Sequence, residues 1–218
     1  MTEAAKASDA APARAPREIL APEEVLAAGP PPVPELAAPL SARLAAPDGA
    51  DLDLVHAWMN LPHVARFFDQ AWSRKRWAGE LAAQQAGTFS RPLLIGLHGT
   101  PVAYVELYRA ARDVIAAHYD ADPHDIGFHI AIGDPGGIGR GLGPRIFDAC
   151  ARGVFAADGR CRRILIEPDA ANTAARRAAE HAGLALLDEI ELPHKRAALM
   201  VRTRSEGDPC GLPALSST

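Results

Sequence analysis

The chain has 218 residues, a formal net charge of −4 and a sequence pI near 6.1, with 48% hydrophobic and 23% charged residues. This composition is typical of one soluble domain with a sizeable core, and the mildly acidic charge with scattered arginines argues against nucleic-acid binding. The first residues lack a signal-peptide pattern, no later apolar run approaches membrane-spanning length, and the three cysteines are too irregularly spaced for a disulfide framework or a zinc site. We therefore expect a cytoplasmic protein without a membrane partner or a metal.

The N-terminal region is dominated by Ala, Pro and Glu, and Pro30, Pro31 and Pro32 follow one another. Proline interrupts helices and central strands because it lacks the backbone N–H. Residues 1–39 are therefore predicted to form an extended or disordered arm, 40–204 the folded domain and 205–218 a flexible tail. Within the domain, residues 40–46 are predicted to form a first strand that ends at turn-forming residues.

Two helices and a hairpin are predicted next. The first helix begins at Asp51 or Asp53, either of which can cap it, and is expected to end at Pro62. The second covers residues 73–86, with Gly87 as its stop. Two β-like runs follow at 92–97 and 102–108, and the four residues between them suit a hairpin connection.

The second half of the chain is predicted to alternate strands and helices. The predicted order is a polar loop at 109–125, a buried strand at 126–133, a glycine cluster at 136–143, a helix at 142–157, a strand at 164–166, a helix at 172–181, and short strands at 186–192 and 197–201. The glycine cluster thus connects a buried strand to a helix.

The glycine cluster has the chemistry of a phosphate-binding loop. In Ile138-Gly139-Arg140-Gly141-Leu142-Gly143 the glycines permit close approach to the backbone, and the first N–H groups of the following helix are unpaired. The loop lacks the Gly-Lys-Ser/Thr of a P-loop, and the parallel unit of a dinucleotide fold is not evident. A pyrophosphate cradle is favoured over a tight turn that binds no ligand.

This order of elements resembles the GNAT acetyltransferase superfamily, whose Arg/Gln-x-x-Gly-x-Gly/Ala signature aligns with residues 138–143, although Ile138 departs from it. The resemblance implies an α/β (α+β) fold with a mixed, mostly antiparallel sheet and a splayed central strand pair. It also implies an acyl-CoA co-substrate, for which we expect acetyl-CoA. The residues implied to bind it are Ile130, Ala131, Ile132, Ile138, Gly139, Arg140, Gly141, Leu142, Gly143 and Asn172.

Several further segments resemble the siderophore-biosynthesis branch, which acylates lysine or hydroxylysine. They are residues 56–64, Tyr119-Asp120, 125–129, Glu167-Pro168-Asp169 with Asn172, and 192–200. By this resemblance His129 and Asp169 are the active-site pair, and Trp58, Asn60, His63, Tyr119 and Asp120 lie on the acceptor side. A neutral imidazole suits proton removal near pH 7, although a buried structural histidine is the alternative for His129.

We expect direct acyl transfer to a small amine or hydroxylamine. The family's tyrosine acid is replaced by Ala179, a tolerable loss because a thiol with a pKa of about 8.5 leaves readily. The alternatives are an aminoglycoside 6′-N-acetyltransferase and a non-catalytic domain that binds acyl-CoA. The enzyme is expected to be a monomer or a homodimer.

Overall fold

A computed structural model describes residues 17–133, 136 and 140–205. Within these ranges the helices and strands follow the chain in this order: α1 (Glu23–Leu26), β1 (Leu40–Leu44), α2 (Gly49–Met59), α3 (Pro62–Phe68), α4 (Arg74–Ala86), β2 (Ser90–Leu97), β3 (Thr100–Arg109), β4 (Ile126–Ile132), α5 (Leu142–Ala157), β5 (Arg163–Ile166), α6 (Thr173–His181), β6 (Ala185–Leu192) and β7 (Lys195–Thr203). None of the helices in this part of the chain could cross a bilayer, because none is both long and apolar enough.

The strands form one seven-stranded sheet in the order β1-β2-β3-β4-β5-β7-β6. Strands β4 and β5 are parallel, and the other neighbouring pairs are antiparallel. This confirms the predicted mixed, mostly antiparallel sheet.

The central strands β4 and β5 separate soon after they meet. Their paired residues are Ile126 with Ile164 and Gly127 with Leu165, while β4 continues beside β3 as far as Ile132. The chain after β5 instead turns to β7, where Ala198 N–H donates to Pro168 O at 2.9 Å and Ala170 N–H donates to Arg196 O at 2.9 Å. Because β7 takes these backbone groups, a wedge opens between β4 and β5. The predicted splayed pair is confirmed.

Helices cover both faces of the sheet. The helices α5 and α6 pack on one face, where Phe128 of β4 contacts Phe147 of α5 with ring centroids 5.4 Å apart. On the other face, α2 and α4 bury Trp58 and Trp77 against Tyr104 of β3. Side chains alternate between faces along a strand, so His129 points to the face opposite Phe128.

Two segments differ from their predictions. The first helix ends at Met59, before Pro62 as expected, but Pro62 also begins α3, which was not predicted. Proline suits the first turn of a helix, where its missing N–H has no intrahelical partner. The segment 109–125, predicted to be a polar loop, forms two short 3₁₀ turns and buries charged side chains. Arg109, Arg112 and Asp125 are each less than 9% exposed.

The described part of the N-terminal arm lies against the domain. The Arg109 guanidinium donates to the carbonyl oxygens of Ala28, Gly29 and Pro30 at 2.9–3.0 Å. Further along, the arm passes so close to α5 that a Cβ on Gly153 would lie 2.7 Å from Pro34 Cβ. Residues 17–39 are therefore mostly extended, with one short helix, and are packed.

Candidate active site

A cavity of about 80 Å³ lies in the wedge between β4 and β5. Aromatic and aliphatic side chains form much of its wall, and polar groups come from β4, the end of β5 and β7. The lining residues are Phe67, Phe68, Gln70, Phe128, His129, Ile130, Phe147, Ile166, Glu167, Pro168, Asp169, Asn172, Ala175 and Lys195.

His129 is the polar centre of this cavity. Its side chain is 15% exposed and lies beside Glu106, the facing residue on β3. One ring nitrogen, Nε2, is hydrogen-bonded to Glu167 Oε1. The other, Nδ1, lies 2.8 Å from Arg17 Nη1 and 3.2 Å from Glu106 Oε2. The partners of the two ring nitrogens within the described residues are thus Glu167, Glu106 and Arg17.

Both carboxylates beside His129 are buried and hydrogen-bonded. Arg17 donates to the two Glu106 oxygens at 3.1 and 3.2 Å, and Gln84 Nε2 donates to Glu106 Oε1 at 3.1 Å. Burial raises the pKa of Glu106, but the Arg17 charge and the contacts with His129 outweigh this and lower the pKa to about 2.

Glu167 is held by three neighbours. Its Oε2 accepts from the Tyr108 hydroxyl at 2.5 Å, its Oε1 contacts His129, and Lys195 Nζ lies 3.8 Å away. Burial alone would raise the pKa of Glu167, but the charges of His129 and Lys195 lower the pKa well below its ordinary value. Glu167 therefore faces the cavity as a carboxylate.

The pKa of His129 is raised above its ordinary value by a balance of opposing effects. Burial lowers the pKa, the Glu167 charge raises it, the Arg17 charge lowers it, and hydrogen bonds to Glu106 and Glu167 raise it. A histidine poised this way can exchange a proton with a ligand in the cavity.

Asp169 and Asn172 follow β5 in the chain. Asp169 Oδ1 accepts from the Ala171 N–H at 2.8 Å, and Asn172 Oδ1 caps α6 by accepting from the Ala175 N–H at 3.1 Å. Both residues line the cavity. The capping role expected for Asn172 is thus present, and it leaves the side chain beside the ligand space.

The predicted cofactor residues converge at the outer end of the wedge. Ile130 lines the cavity, and Gly141 has the left-handed φ of 77° that starts α5. A Cβ on Gly143 would lie 3.6 Å from Ile132 Cδ1, so the first turn of α5 borders the end of β4. Leu142 is buried and Arg140 is exposed. Ile138 and Gly139 lie outside the described residues.

The residues predicted on the acceptor side are not among those that line the cavity in the described ranges. Trp58 packs under Gly133, Asn60 Nδ2 donates to His56 O at 2.8 Å, and His63 Nε2 contacts Ile132 O at 3.0 Å. The α3 residues Phe67 and Phe68 line the cavity instead.

Tyr119 and Asp120 belong to a different part of the molecule. The Tyr119 ring is 4% exposed in an apolar cluster with β6 and β7, and the Arg163 guanidinium lies 5.3 Å from its centroid. The Asp120 carbonyl oxygen accepts from Arg163 Nη2 at 2.7 Å. Their geometry indicates that they support the loop.

The sequence did not predict Arg17, Glu106 or Glu167 as partners of His129, whereas Lys195 stands in the quoted segment 192–200. For Glu106 a signal existed, because a carboxylate within the apolar run 102–108 must be paired if that strand is buried. Glu167 stands within the quoted Glu-Pro-Asp motif. Arg17 carried no such signal, since its partners lie 89 and 112 positions away in the chain.

Comparison with known proteins agrees with this architecture. Residues 48–192 match a family model described as an acetyltransferase (GNAT) domain. The chain is 45% identical over 191 residues to the lysine N-acyltransferase MbtK of Mycobacterium sp. (strain MCS), covering 87% of this chain and 78% of the relative. It is 42% identical over 198 residues to MbtK of Mycobacterium tuberculosis (strain H37Rv), covering 91% and 93%.

More distant proteins share the domain. The N(6)-hydroxylysine O-acetyltransferase of Escherichia coli is 30% identical over 175 residues, covering 78% of this chain and 54% of that protein. The crystal structure of the aminoglycoside acetyltransferase AAC(6')-Ib with coenzyme A superposes with a TM-score of 0.67 at 23% identity, covering 76% of this chain and 95% of the other, which shows a shared fold. The family model, the mycobacterial relatives and the splayed sheet establish that this chain belongs to the GNAT acetyltransferase family, as an acyl-CoA-dependent acyltransferase.

Proposed function

We propose that this acyltransferase transfers an acyl group directly from acyl-CoA to the terminal nitrogen of lysine, N6-hydroxylysine or a related diamine in hydroxamate siderophore biosynthesis. The acceptor class follows the names of the relatives, which include lysine N-acyltransferases and an N(6)-hydroxylysine O-acetyltransferase. The observation that carries the chemistry is the buried His129–Glu167 pair in the wedge of the sheet.

The co-substrate binds along the open side of β4. Beyond Gly127 this strand has left β5, so the backbone groups of Ile130, which point away from β3, are available to the pantetheine amides. The backbone groups of Ala131 face Tyr104 of β3, and His63 contacts the Ile132 carbonyl oxygen. The pyrophosphate lies at the start of α5, where the amides of residues 140–143 and the helix dipole favour negative charge. A cavity of about 80 Å³ suits a short acyl group together with the end of the acceptor, which supports acetyl-CoA.

Proton removal is the step that the protein must supply. A lysine amine with a pKa of about 10.4 arrives protonated and cannot attack the thioester until it loses a proton. The His129–Glu167 pair takes up this proton, leaving the ring as an imidazolium between two carboxylates. Asp169, which also lines the cavity, orients the ammonium group as it enters.

The remaining steps need little help from side chains. The amine nitrogen bonds to the thioester carbon, and a backbone N–H of β4 stabilises the resulting oxyanion. The C–S bond then breaks and CoA leaves as a thiolate, which takes up the proton that the attacking nitrogen releases as the amide forms. A thiol pKa of about 8.5 means that this departure requires no strong acid. The absence of a tyrosine acid at the buried residue Ala179 is compatible with this chemistry.

An aminoglycoside acceptor is less well supported. Such a polycation requires a wide acidic site, whereas Phe67, Phe68, Phe128 and Phe147 form much of the cavity wall. The likeness to the aminoglycoside enzyme is at 23% identity and concerns the fold.

A thiol-release assay tests the proposal. Acetyl-, succinyl- and longer acyl-CoAs are combined with lysine, N6-hydroxylysine, hydroxycadaverine and kanamycin, and the products are identified by mass spectrometry. We expect acylated lysine or N6-hydroxylysine, and a large loss of turnover in His129→Ala and Asp169→Ala. Turnover with kanamycin alone would contradict the proposed acceptor. Binding of CoA without turnover would indicate a non-catalytic domain.

A further inference from the structure

Arg17 is part of the His129 site although it lies outside the residues matched by the family model, 48–192. Its guanidinium forms a two-pronged contact with Glu106 and lies 3.2 Å from Asp113 through Nε. The aromatic ring of Tyr108 lies 4.8 Å from the guanidinium carbon, and the Arg17 side chain is 12% exposed. A cation this enclosed and paired is held in place.

The contact between Arg17 and His129 selects a protonation state. A guanidinium can only donate, so Nδ1 of His129 must accept at the 2.8 Å contact with Arg17 Nη1. The ring then carries its proton on Nε2, which donates to Glu167. A proton on Nδ1 would instead point toward Glu106 Oε2 at 3.2 Å and would face the Arg17 N–H. Nδ1 of the neutral ring therefore accepts from Arg17, whereas Nδ1 of the protonated ring donates to Glu106.

The charges around the ring decide the balance between the neutral and the protonated form of His129. Three carboxylates face two permanent cations, so without Arg17 the carboxylates would outnumber the cations by three to one. The groups that surround the ring are Arg17 from the N-terminal segment, Glu106 and Tyr108 from β3, Asp113 from the following loop, Glu167 after β5 and Lys195 from β7, with Glu80, Gln84 and Tyr104 behind Glu106.

We propose that Arg17 is a positioning residue for acyl transfer: it donates to Nδ1 of His129 and offsets the neighbouring carboxylates, and so favours the neutral imidazole over the imidazolium. When the ring takes up a proton, Nδ1 exchanges its contact with Arg17 for one with Glu106 Oε2. This inference rests on the proposed base role of His129. It makes the N-terminal segment a functional part of the active site.

The attachment of the segment provides a matched control. The Val114 N–H donates to Arg17 O at 3.0 Å, the Ile19 N–H donates to Arg112 O at 2.9 Å, and Glu18 forms an ion pair with Arg112. Glu18→Gln weakens the same attachment one residue away, without removing a charge from the group around His129. A merely structural role for Arg17 would predict similar effects of the two variants.

The test is an NMR titration of the His129 ring in the full-length protein without substrate, with its signal assigned from a His129→Gln variant. In Arg17→Gln we expect the pKa of His129 to rise by about one or more, because the carboxylates are no longer offset. Arg17→Lys keeps the charge without the two-pronged contact, so its His129 pKa should lie between those of wild type and Arg17→Gln. Glu18→Gln should leave the pKa unchanged.

The pH dependence of kcat/KM should follow the protonation of His129. Since the neutral ring is the active form, kcat/KM rises with pH through the pKa of His129. With N6-hydroxylysine as acceptor, the acidic limb of this profile should move to higher pH in Arg17→Gln, and kcat/KM at pH 7 should fall about tenfold.

An unchanged or lower His129 pKa in Arg17→Gln would overturn the proposal, as would an equal shift in Glu18→Gln. If Arg17→Gln does not fold, Arg17→Lys decides by the same criterion, an upward shift supporting the proposal and any other result overturning it. Because the titration needs no substrate, a pKa that moves as expected in a protein that transfers no acyl group contradicts the proposed function alone. Efficient acylation of lysine with an unmoved pKa contradicts the role of Arg17 alone.

Discussion

Gly127 of β4 lies against the ring that holds Glu167, so a single methyl group at this position should disturb the site. A Cβ on Gly127 would lie 2.1 Å from Tyr108 Cζ and 2.5 Å from its hydroxyl oxygen, where ordinary contact begins at 3.4 Å. The fully buried Tyr108 ring would have to retreat by about 1.3 Å, which breaks the hydrogen bond to Glu167. Overpacking costs about 1–3 kcal/mol and an unsatisfied buried polar group about 1–3 kcal/mol, so Gly127→Ala should lose about 2–6 kcal/mol.

Urea denaturation followed by circular dichroism measures this loss. With an m-value of about 2 kcal/mol/M, the midpoint should fall by about 1–3 M. Gly79→Ala is the matched control, since a Cβ at this exposed helical position meets nothing within 4 Å and should stabilise α4 by up to about 1 kcal/mol. Tyr108→Ala removes the clashing ring, so adding Gly127→Ala to it should cost much less than in wild type. A Gly127→Ala protein as stable as wild type would refute the close packing on which the reasoning depends.

Three further predictions concern the site. Replacing Glu167 with Gln removes the carboxylate that accepts from His129, so kcat/KM at pH 7 should fall about a hundredfold while the Kd for acyl-CoA, measured by calorimetry, stays within about twofold; an equal loss of CoA affinity would contradict this. The pKa of Glu106 is lowered to about 2, so its ionised form stabilises the fold above the unfolded pKa of about 4.5, and this contribution is lost as the pH falls from 4.5 toward 2. The free energy of unfolding of Glu106→Gln should therefore lie below that of wild type by about 3 kcal/mol at pH 6 and approach it near pH 2, whereas a gap independent of pH would disprove the linkage. Gly141 has φ of 77°, so Gly141→Ala should cost about 1 kcal/mol and weaken CoA binding more than Gly79→Ala does in the same calorimetric titration.

Local patterns in the sequence predicted most of the fold. The hairpin, the buried strand before the glycine cluster and the helix after it all agree with β2, β3, β4 and α5, because periodicity and turn residues report on local backbone preference. The same patterns did not predict α3: the first helix ends before Pro62 as expected, but a proline after a helix can either lead into a loop or begin the next helix, as it does here. Which of the two occurs depends on how the next residues pack.

For the candidate site, the sequence by itself determined that His129 lies in a buried strand, that Asp169 and Asn172 follow the next strand, and that a glycine cluster starts a helix. Only the tertiary structure decided what His129 contacts. The register of β3 against β4 brings Glu106 beside it, the end of β5 brings Glu167, and the N-terminal segment brings Arg17 from 112 residues away. The energy of a buried charge depends on partners gathered from distant parts of the chain, and residue spacing along a sequence contains no information about that gathering.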